Sequence, residues 1–583
     1  MGRRRMPTPN VPSMFWRAVA ASFVIVAAAS CARAPRTASY NVLLISLDTV
    51  RQDVLGCYGH RPRRAPDTSP SPALDQLARE GVRMVDAYAP SSWTLPSHLS
   101  MLTGQPPLVH GVETEVGTLD ASSRTMAEIL KEHGYHTAGI YSAPYLEPHW
   151  GFGRGFDSYQ AVYGPDVVAA AARALEARAK VETAAAAQDW QRYDELKLAE
   201  VAIDQELNRS SETAVTSDQV TAAVTSQIEA FARDGRPWFV FAHFFDAHCD
   251  YVPPPPYDTR FDPDYTGAAT GKECLSGEWV GGPDPSRPGG FIRAIGDRDL
   301  DHVIALYEGE VAWVDAHVGA IMHALEASGL AEKTLVIVVS DHGEEFFDHG
   351  NIGHRHTLYE EAVRVPMLLR LPRVLPAGAA VHGPVSLTDL LPTVLDILGL
   401  SPAPTRGASS FLPLIRGAAD PGTREVLYRL VMMFAGDVEV DAAAHVTIRD
   451  VMVQDAFRRG AIKITRTRMW PQFPAGVAPD VKAAFQAEAA AQYAREEVRW
   501  IDVQRAPGEP GDGHSMRFTD PSVRAALDAF RREYTELATL RRRHTSPLPL
   551  NVRLKLESLG YVDRASGPAF PEPDVLLPPP REG

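Results

Sequence analysis

Three continuous apolar runs, each followed at once by polar residues, dominate the pattern of hydrophobic and polar positions along the chain. They are 42–47 before Asp48, 238–245 before Asp246 and His248, and 335–339 before Asp341 and His342. Apolar runs of this length, with helical patterns between them, are typical of central strands in a parallel sheet. The pattern therefore predicts an α/β fold, in which a large, mostly parallel sheet is sandwiched by helices.

The polar residues after the three runs form a candidate metal site. Ligands of open α/β sheets bind beyond the carboxyl ends of the strands, so these residues are expected to meet at one edge. A single acid after a strand is more often a helix cap than a ligand, but three acid-bearing strand ends favour a site. Carboxylates of Asp48 and Asp341 suit a hard divalent cation such as calcium, and the imidazole of His342 extends the choice to manganese or zinc.

The segment SSWTLPSHLSMLTG, residues 91–104, has helical spacing and stops at Gly104. One interpretation makes Thr94 the cap of this helix, with Pro96 in the first turn. The other makes Thr94 a nucleophile, because free N–H groups and the positive end of the dipole at a helix N-terminus favour an oxyanion. The two interpretations use the same geometry and are not exclusive.

The amino terminus predicts export. Basic residues precede an apolar run at 18–29, which is too short to span a membrane comfortably. The following AAASC resembles a bacterial lipobox, with Ala28 where Leu is usual, so Cys31 is predicted to be lipidated. The mature protein would then be a lipoprotein on the periplasmic side of a bacterial membrane. An ordinary signal peptide and an uncleaved anchor are the alternatives.

Composition limits the classes of function. With 583 residues, of which 45% are hydrophobic, the chain can bury a large core in one big domain with additions or in two domains. A formal net charge of −15 gives no electrostatic reason to expect a nucleic-acid partner. The cysteines have no CxxC spacing, which argues against a metal-thiolate site. Cys249 and Cys274 are candidates for a disulfide in an oxidising compartment.

Six motifs occur in order between about residues 40 and 564. They are NVLLISLDTVRQDVLGCYG, SSWTLPSHLSMLTG, VSDHGEEFFDHG, GHRHTLYEEAVRVPMLLRLP, VSLTDLLPTVLDILGL and LKLESLGYVD. As an ordered set they resemble the sulfatase branch of the alkaline phosphatase superfamily. The resemblance implies a large α/β domain with a smaller C-terminal α+β subdomain and a metal at the strand ends. It also implies cleavage of an anionic sulfate or phosphate ester through a covalent intermediate.

By position in these motifs, Asp48, Asp341 and His342 resemble the metal ligands of the family, and Thr94 the nucleophile that also touches the metal. Thr49 stands where many sulfatases have a second Asp ligand, and His342 stands where many have Asn. Both differences favour one manganese or zinc ion over a calcium-type oxygen cage. A second ion, held by Asp246, His248 and a later histidine, is the lower-ranked alternative.

The resemblance also places residues around the substrate anion. His248 lies where the family keeps a His that contacts the anion or assists the leaving group, and Arg355 aligns with the Lys of many sulfatases. His354 and His356 flank Arg355, and His98 replaces the usual Arg after the nucleophile. We take His248, Arg355 and His356 as candidate catalytic residues and His98 and His354 as candidate anion contacts. Each histidine has a purely structural role as its alternative.

Three departures from the family separate this chain from a standard sulfatase. Thr94 cannot become formylglycine, because oxidation of threonine gives a ketone; His98 replaces the Arg; and GIYSAPYLEPHW lacks the family's Lys-x-His. The expected activity is therefore hydrolysis of a phosphate or phosphonate ester, or phosphoryl transfer, through a covalent Thr94 intermediate. The alternatives are a sulfuric ester hydrolase with unmodified Thr94 and a catalytically silent anion-binding protein of the same fold.

The chain is expected to divide into an export signal at 1–31, a catalytic domain at 40–417, a C-terminal subdomain at 418–565 and a Pro-rich tail at 566–583. An Ala- and Glu-rich stretch at 167–212 reads as a helical insertion within the catalytic domain. The oligomeric state stays open.

Overall fold

The computed structural model describes residues 40–164, 215–472 and 497–542, apart from gaps at 116, 273–277, 284–290, 402–405, 421, 442–443 and 503–519, and isolated residues outside these ranges. Tyr40–Gly583 forms one compact unit, distinct from Met1–Ser39. The predicted export signal with Cys31 and the tail at 566–583 lie outside the described residues, as does the insertion at 167–212 except for isolated positions.

Eight strands form the large sheet. In chain order they are β1 (Asn41–Leu47), β2 (Val82–Met84), β3 (His136–Tyr141), β4 (Ser158–Ala161), β5 (Trp238–Phe244), β6 (Thr334–Ser340), β7 (Met367–Arg370) and β8 (Ala379–Val381). They lie side by side in the order β8-β2-β7-β6-β1-β5-β3-β4. Of these, β7 runs antiparallel to its neighbours and the others pair in parallel. The predicted fold class is confirmed.

The three apolar runs become the three central strands β1, β5 and β6. Each is buried along its whole length, as expected for strands covered on both faces. Leu47 lies opposite Phe244 on one side and Ser340 on the other. The three strands therefore end at the same level, and the polar residues that follow them start from one edge of the sheet.

Helices cover both faces of this sheet. They are α1 (Pro72–Glu80), α2 (Thr94–Thr103), α3 (Met126–Glu132), α4 (Ser217–Asp234), α5 (Asp297–Ala327) and α6 (Leu390–Ile397). Side chains alternate along β1: Leu44 packs in a core cluster with α2, α3 and α6, and Leu43 in another with α1, α4 and α5. Each such buried aliphatic side chain contributes about 1.5–3 kcal/mol.

A second, antiparallel sheet follows the large sheet along the chain. Its strands are β9 (Glu425–Asp441), β10 (Ala444–Arg459), β11 (Ile462–Gln472) and β12 (Glu497–Asp502), and helix α7 (Pro521–Ala538) packs on it, with Phe457 stacked on Phe530 at 5.3 Å between ring centroids. This is the expected α+β subdomain. We propose the boundary at 417, because it falls between the last strand of the large sheet and β9.

Shorter elements complete the described fold. Short helices lie at Pro107–His110, Glu360–Val363 and Leu412–Ile415, and short strands pair Ala87–Tyr88 with Val385–Ser386, Glu345–Phe346 with Ile352–Gly353, and Val280–Pro283 with Phe291–Arg293. Cys249 is disulfide-bonded, and its expected partner Cys274 lies outside the described residues. In the described part of the chain, no helix is long and apolar enough to cross a membrane.

Candidate active site

Asp48, Asp341 and His342 meet at the edge of the large sheet where β1 and β6 end. All three are fully buried. One possible ligand atom from each lies within 4.8 Å of the others. The Nε2 atom of His342 is 3.7 Å from Asp48 Oδ1 and 3.4 Å from Asp341 Oδ2. We call these three residues the acidic cluster; among the described residues it is the one group of His, Cys, Asp and Glu with this spacing.

The acidic cluster fits a divalent cation. Asp48 Oδ1 and Asp341 Oδ2 accept no hydrogen bond of normal geometry from the described residues. Burial raises the pKa of both carboxyls. The Nδ1–H group of His342 donates to the carbonyl of Gly343 at 2.9 Å, so Nε2 keeps its lone pair on the side of the carboxylates. Each buried carboxylate thus keeps one oxygen without a hydrogen-bond partner, and a divalent cation would supply the positive charge that these two oxygens lack.

Thr94 begins helix α2 and lies against this cluster. The N-cap of the helix is Trp93, whose backbone is extended, and no side chain caps the helix. The capping interpretation of Thr94 is therefore wrong, because Thr94 is the first helical residue and no side chain caps the helix. That hydroxyl is instead 3.2 Å from His342 Nε2, which places it beside the atoms that would hold a cation.

Thr49 turns its side chain away from the acidic cluster. Its hydroxyl donates to the carbonyl of Ala247 at 2.7 Å, and its backbone N–H donates to Asp341 Oδ1 at 3.3 Å. The residue has a φ of 56°, in the left-handed region, which a β-branched residue rarely adopts. Strain of this kind costs about 1–3 kcal/mol and persists only where the surroundings enforce it. Thr49 thus orients Asp341 through its backbone.

Two buried histidines lie next to the carboxylates of the acidic cluster. His243, in β5, donates from Nε2 to Asp48 Oδ2 at 3.1 Å. His98 donates from Nδ1 to the carbonyl of Thr94 at 2.9 Å, with Asp341 Oδ2 at 3.4 Å, and its Nε2 accepts from Ser46 at 2.9 Å. Burial lowers the pKa of both imidazoles to about 4, so both are neutral near pH 7.

The support by His243 was missed in the sequence. The ring of His243 meets that of His98 edge to face, with the ring centroids 5.1 Å apart. Both side chains are fully buried. Because His98 is fully buried next to Asp341, its position suits orientation of the carboxylates better than contact with a substrate. The available signal for His243 was a titratable residue near the carboxyl end of an otherwise apolar strand, directly opposite Ser46 of β1.

His248 and His354 line the side of the acidic cluster next to His342. The ring of His354 lies 4.5 Å from that of His342 and 4.8 Å from that of His248. His354 Nδ1 is 3.0 Å from Glu344 Oε1, and His248 Nδ1 donates to the carbonyl of Cys249 at 2.6 Å. Burial lowers the pKa of His248 to about 3 and that of His354 well below its usual range. Both therefore face the site as neutral imidazoles.

Arg355 lies beside the start of α2. Its backbone N–H donates to the carbonyl of Ser92 at 3.0 Å, and its guanidinium carbon is 4.1 Å from the centre of the Trp93 ring. Its guanidinium donates to Glu115 at 2.8 Å and to the Tyr145 hydroxyl at 3.0 Å. Neither Glu115 nor Tyr145 was singled out in the sequence, because each lies more than 200 residues from Arg355 along the chain.

His356 is half-buried and lies edge to face with Phe291, with the ring centroids 5.7 Å apart. Burial and, to a smaller extent, the charge of Arg355 lower its pKa to about 4. No hydrogen bond or ion pair between described residues joins His356 to the acidic cluster. Of the residues expected around the anion, His356 thus has the weakest connection to Thr94.

Asp246, just after the end of β5, accepts hydrogen bonds at the N-terminus of helix α4. Its Oδ1 accepts from the backbone and hydroxyl of Thr216 at 2.8 and 2.7 Å, and its Oδ2 accepts from the backbone of Ser217 at 2.8 Å and from Trp313 at 3.1 Å. Both oxygens therefore satisfy donors at the N-terminus of α4 and on α5. This use of both oxygens argues against Asp246 as a ligand of a second metal.

We expect Asp246→Ala to lower the free energy of unfolding by about 2 kcal/mol, because buried N–H groups at the start of α4 lose their acceptor. Chemical denaturation measures this change. Asp246→Asn is the matched control, since it keeps one oxygen acceptor and should lose less. The stoichiometry of bound manganese, measured on the same proteins, should be unchanged in both variants. Loss of a bound ion in Asp246→Ala would show that Asp246 is a ligand.

Comparison with known proteins agrees with this architecture. The family model described as "Sulfatase" matches residues 40–400. Steryl-sulfatase of Mus musculus is 27% identical over 498 residues, which cover 73% of this chain and 72% of that protein. An arylsulfatase of Clostridium perfringens (strain 13 / Type A) is 26% identical over 379 residues, which cover 62% of this chain and 75% of that protein.

A solved structure of similar fold is the phosphonate monoester hydrolase of Agrobacterium radiobacter, with a TM-score of 0.58 and 20% identity over 92% of this chain and 100% of that one. At this identity the likeness concerns the fold alone. The family match spans most of the catalytic domain, including both central strand ends that carry the acidic cluster. The chain therefore belongs to the sulfatase family and is a hydrolase of ester bonds.

Proposed function

We propose that this chain is a metal-dependent hydrolase that cleaves a phosphate or phosphonate ester, or transfers its phosphoryl group, through a covalent Thr94 intermediate. The observation that carries the proposal is the position of the Thr94 hydroxyl, 3.2 Å from His342 Nε2 at the acidic cluster. A hydroxyl at that place is a nucleophile that needs no modification.

The residues that would hold the metal are Asp48, Asp341, His342 and Thr94. One ion is proposed, and manganese or zinc is favoured over calcium, because an imidazole contributes and the Thr49 hydroxyl is engaged by Ala247. When bound, a divalent ion lowers the pKa of a coordinated hydroxyl and neutralises charge on the ester oxygens. The lone pair of His342 Nε2 and the carboxylate oxygens without hydrogen bonds support this assignment.

The chain's own groups account for the remaining chemistry. The Thr94 oxygen attacks phosphorus, the bond from phosphorus to the ester oxygen breaks, and an alcohol leaves. Water or a second alcohol then takes the phosphoryl group and frees Thr94. In this proposal, backbone N–H groups at the start of α2 and the guanidinium of Arg355 would face the anion. His248 and His354, both neutral, are candidates to hydrogen-bond to the ester oxygens.

Phosphorus is preferred over sulfur because the sulfatase nucleophile, the hydrate of formylglycine, cannot be made from threonine. Two structures of similar fold support this preference by their names, the phosphonate monoester hydrolases of Agrobacterium radiobacter and Silicibacter pomeroyi. A sulfuric ester hydrolase that uses unmodified Thr94 is the second candidate. It is favoured by the curated relatives, which include steryl-sulfatase and arylsulfatases.

A substrate panel tests the proposal. The purified protein is incubated with manganese, zinc or calcium and with 4-nitrophenyl esters of phosphate, phenylphosphonate and sulfate, and with bis(4-nitrophenyl) phosphate. We expect metal-dependent release of 4-nitrophenol from at least one phosphorus ester. Hydrolysis of the sulfate ester alone would support the second candidate. No turnover of any ester, together with measurable binding of the anions, would favour a silent binding protein.

We also propose that the chain is exported and anchored by a lipid on Cys31. The support is the sequence of the amino terminus alone. Expressed in a bacterium with lipoprotein processing, the full chain should fractionate with membranes, whereas Cys31→Ser should lose this association. Membrane association that survives Cys31→Ser would point to an uncleaved anchor.

A further inference from the structure

The guanidinium of Arg355, beside the start of α2, is paired with a carboxylate. Arg355 donates to Glu115 Oε1 at 2.8 Å, and the Tyr145 hydroxyl, 3.0 Å from Arg355, lies 3.3 Å from the same Glu115 oxygen. Trp93 closes the group: its ring is 4.1 Å from the guanidinium carbon and 5.2 Å from the ring of Tyr145. We call these four residues the arginine cage.

Glu115 does more than hold Arg355 in place. The Trp93 ring and the Tyr145 hydroxyl already contact the guanidinium, so its position has support without a carboxylate. What Glu115 adds is a negative charge 2.8 Å from the guanidinium. Both side chains are mostly shielded, 20% exposed for Arg355 and 17% for Glu115, so water screens the pair only in part. The pair is therefore close to electrically neutral as seen by an ester at Thr94.

Whether the Arg355 guanidinium is paired with Glu115 determines which substrate charge the site favours. The attraction of an unpaired guanidinium for an anion grows with the charge of the anion, so it would favour a dianion over a monoanion. Pairing with Glu115 removes this advantage. The desolvation free energy of a dianion is still larger than that of a monoanion, so the dianion then binds less well. The segment GIYSAPYLEPHW, which includes Tyr145, also lacks the Lys-x-His that brings further positive charge in many sulfatases.

We propose that Glu115 is a specificity-determining residue, which selects esters with a single negative charge over esters with two by neutralising Arg355. Phosphodiesters, phosphonate monoesters and sulfate monoesters carry one charge, and phosphate monoesters carry two near neutral pH. The inference rests on the proposed function in one respect, that the ester anion binds between Thr94 and Arg355.

Two ligands of nearly equal shape test the role of charge. Benzenesulfonate carries one negative charge, and phenylphosphonate carries two at a mildly alkaline pH. Calorimetry on the manganese-loaded protein gives a dissociation constant for each, and their ratio reports charge selection without requiring turnover. In Glu115→Gln, which keeps an oxygen acceptor for Arg355 and loses the charge, the ratio should shift about tenfold toward the dianion. Glu115→Asp keeps the charge and should stay near wild type.

Glu80→Gln is the matched control. Glu80, at the end of α1, pairs with Arg370 at 2.8 Å. Arg370 lies opposite Val336, near the end of β6 remote from Asp341. The same chemical change there should leave the ratio unaltered. Arg355→Gln is the second test, because it leaves the Glu115 carboxylate without its cation: here the ratio should move in the opposite direction, against the dianion.

The outcomes separate the inference from the proposed function. A ratio within twofold of wild type in Glu115→Gln, or a ratio in Arg355→Gln that moves toward the dianion, would overturn the role of Glu115. An equal gain for both ligands would do the same, because it would mean general loosening of the pocket. If the wild type hydrolyses sulfate esters alone, the proposed function is wrong, yet the shift in the binding ratio still decides the role of Glu115. Kinetic ratios for phosphate and phenylphosphonate esters of 4-nitrophenol should follow the binding ratios.

Discussion

Thr94→Ala is expected to lower kcat by a factor of about 10³ or more on whichever ester the wild type hydrolyses. The reason is that the proposed reaction passes through a bond to the Thr94 oxygen, and removal of a nucleophile leaves only binding and electrostatic catalysis. The side chain is small and lies at the first position of α2, so the fold should be retained. Steady-state kinetics with a metal in excess measures the effect.

Thr94→Ser is the matched control, because it keeps the hydroxyl and loses a methyl group. We expect it to stay within about tenfold of the wild type. A covalent intermediate should be detectable as added mass on the peptide that contains Thr94 after rapid acid quenching of the wild type, and on the same peptide of Thr94→Ser. Retention of a tenth or more of the wild-type kcat in Thr94→Ala would remove Thr94 from the mechanism.

The sequence predicted the large sheet and the meeting of its strand ends for a physical reason. Continuous apolar runs such as β1 and β6 can be buried on both faces only at the centre of a sheet. Parallel neighbours then bring the residues after their carboxyl ends to one edge, which is why Asp48 and Asp341 could be paired from the sequence. His342 follows the same strand as Asp341, and the resemblance to the sulfatases added Thr94 to the set that touches the metal.

The sequence did not distinguish a carboxylate of the acidic cluster from one that caps a helix. Asp246 follows a strand just as Asp48 does, but its oxygens bind donors around Ser217, about 30 residues away in the chain. The role of Thr94 shows the same limit: a shift of one residue, from cap to first helical position, turns its hydroxyl from the helix toward His342. Such choices depend on packing between distant segments.

Long-range ion pairs lie further beyond sequence patterns. Glu115 and Arg355 are separated by 240 positions, and nothing in the local pattern around either residue marks the other. In the C-terminal subdomain, buried Arg429 likewise donates to Glu113 at 2.6 Å and to Asp455. The pairing of Arg429 with Glu113 follows from the contact between a loop that precedes the large sheet's last strands and the second sheet.

The second large effect concerns the metal itself. Asp341→Asn should weaken manganese binding by about 10²-fold or more, because it removes one of the two negative charges that face His342 Nε2. His243→Gln should weaken it by about 10- to 100-fold, since His243 orients Asp48 and does not itself face the ion. Calorimetric titration of metal-free protein measures both constants. The prediction is specific in its order: Asp341→Asn should bind manganese more weakly than His243→Gln.

Asp315→Asn provides the control for a buried carboxylate outside the acidic cluster. Asp315, in α5, accepts from the backbone of Ala73 and Leu74 at 2.9 and 2.8 Å, and burial raises its pKa to about 7. The change should lower stability without altering metal affinity. Metal binding also stabilises the fold by mass action, about 2.7 kcal/mol at a metal concentration 100 times the dissociation constant.

This stabilisation connects the two measurements. At a metal concentration that saturates the wild type, the thermal midpoint of the wild type and of Asp315→Asn should rise, whereas that of Asp341→Asn should stay almost constant. Burial raises the pKa of Asp48 and Asp341, and protonation of either carboxyl competes with the ion, so the stabilisation by the ion should increase as the pH rises. An Asp341→Asn protein that binds manganese as tightly as the wild type would disprove the acidic cluster as the metal site, whatever its activity.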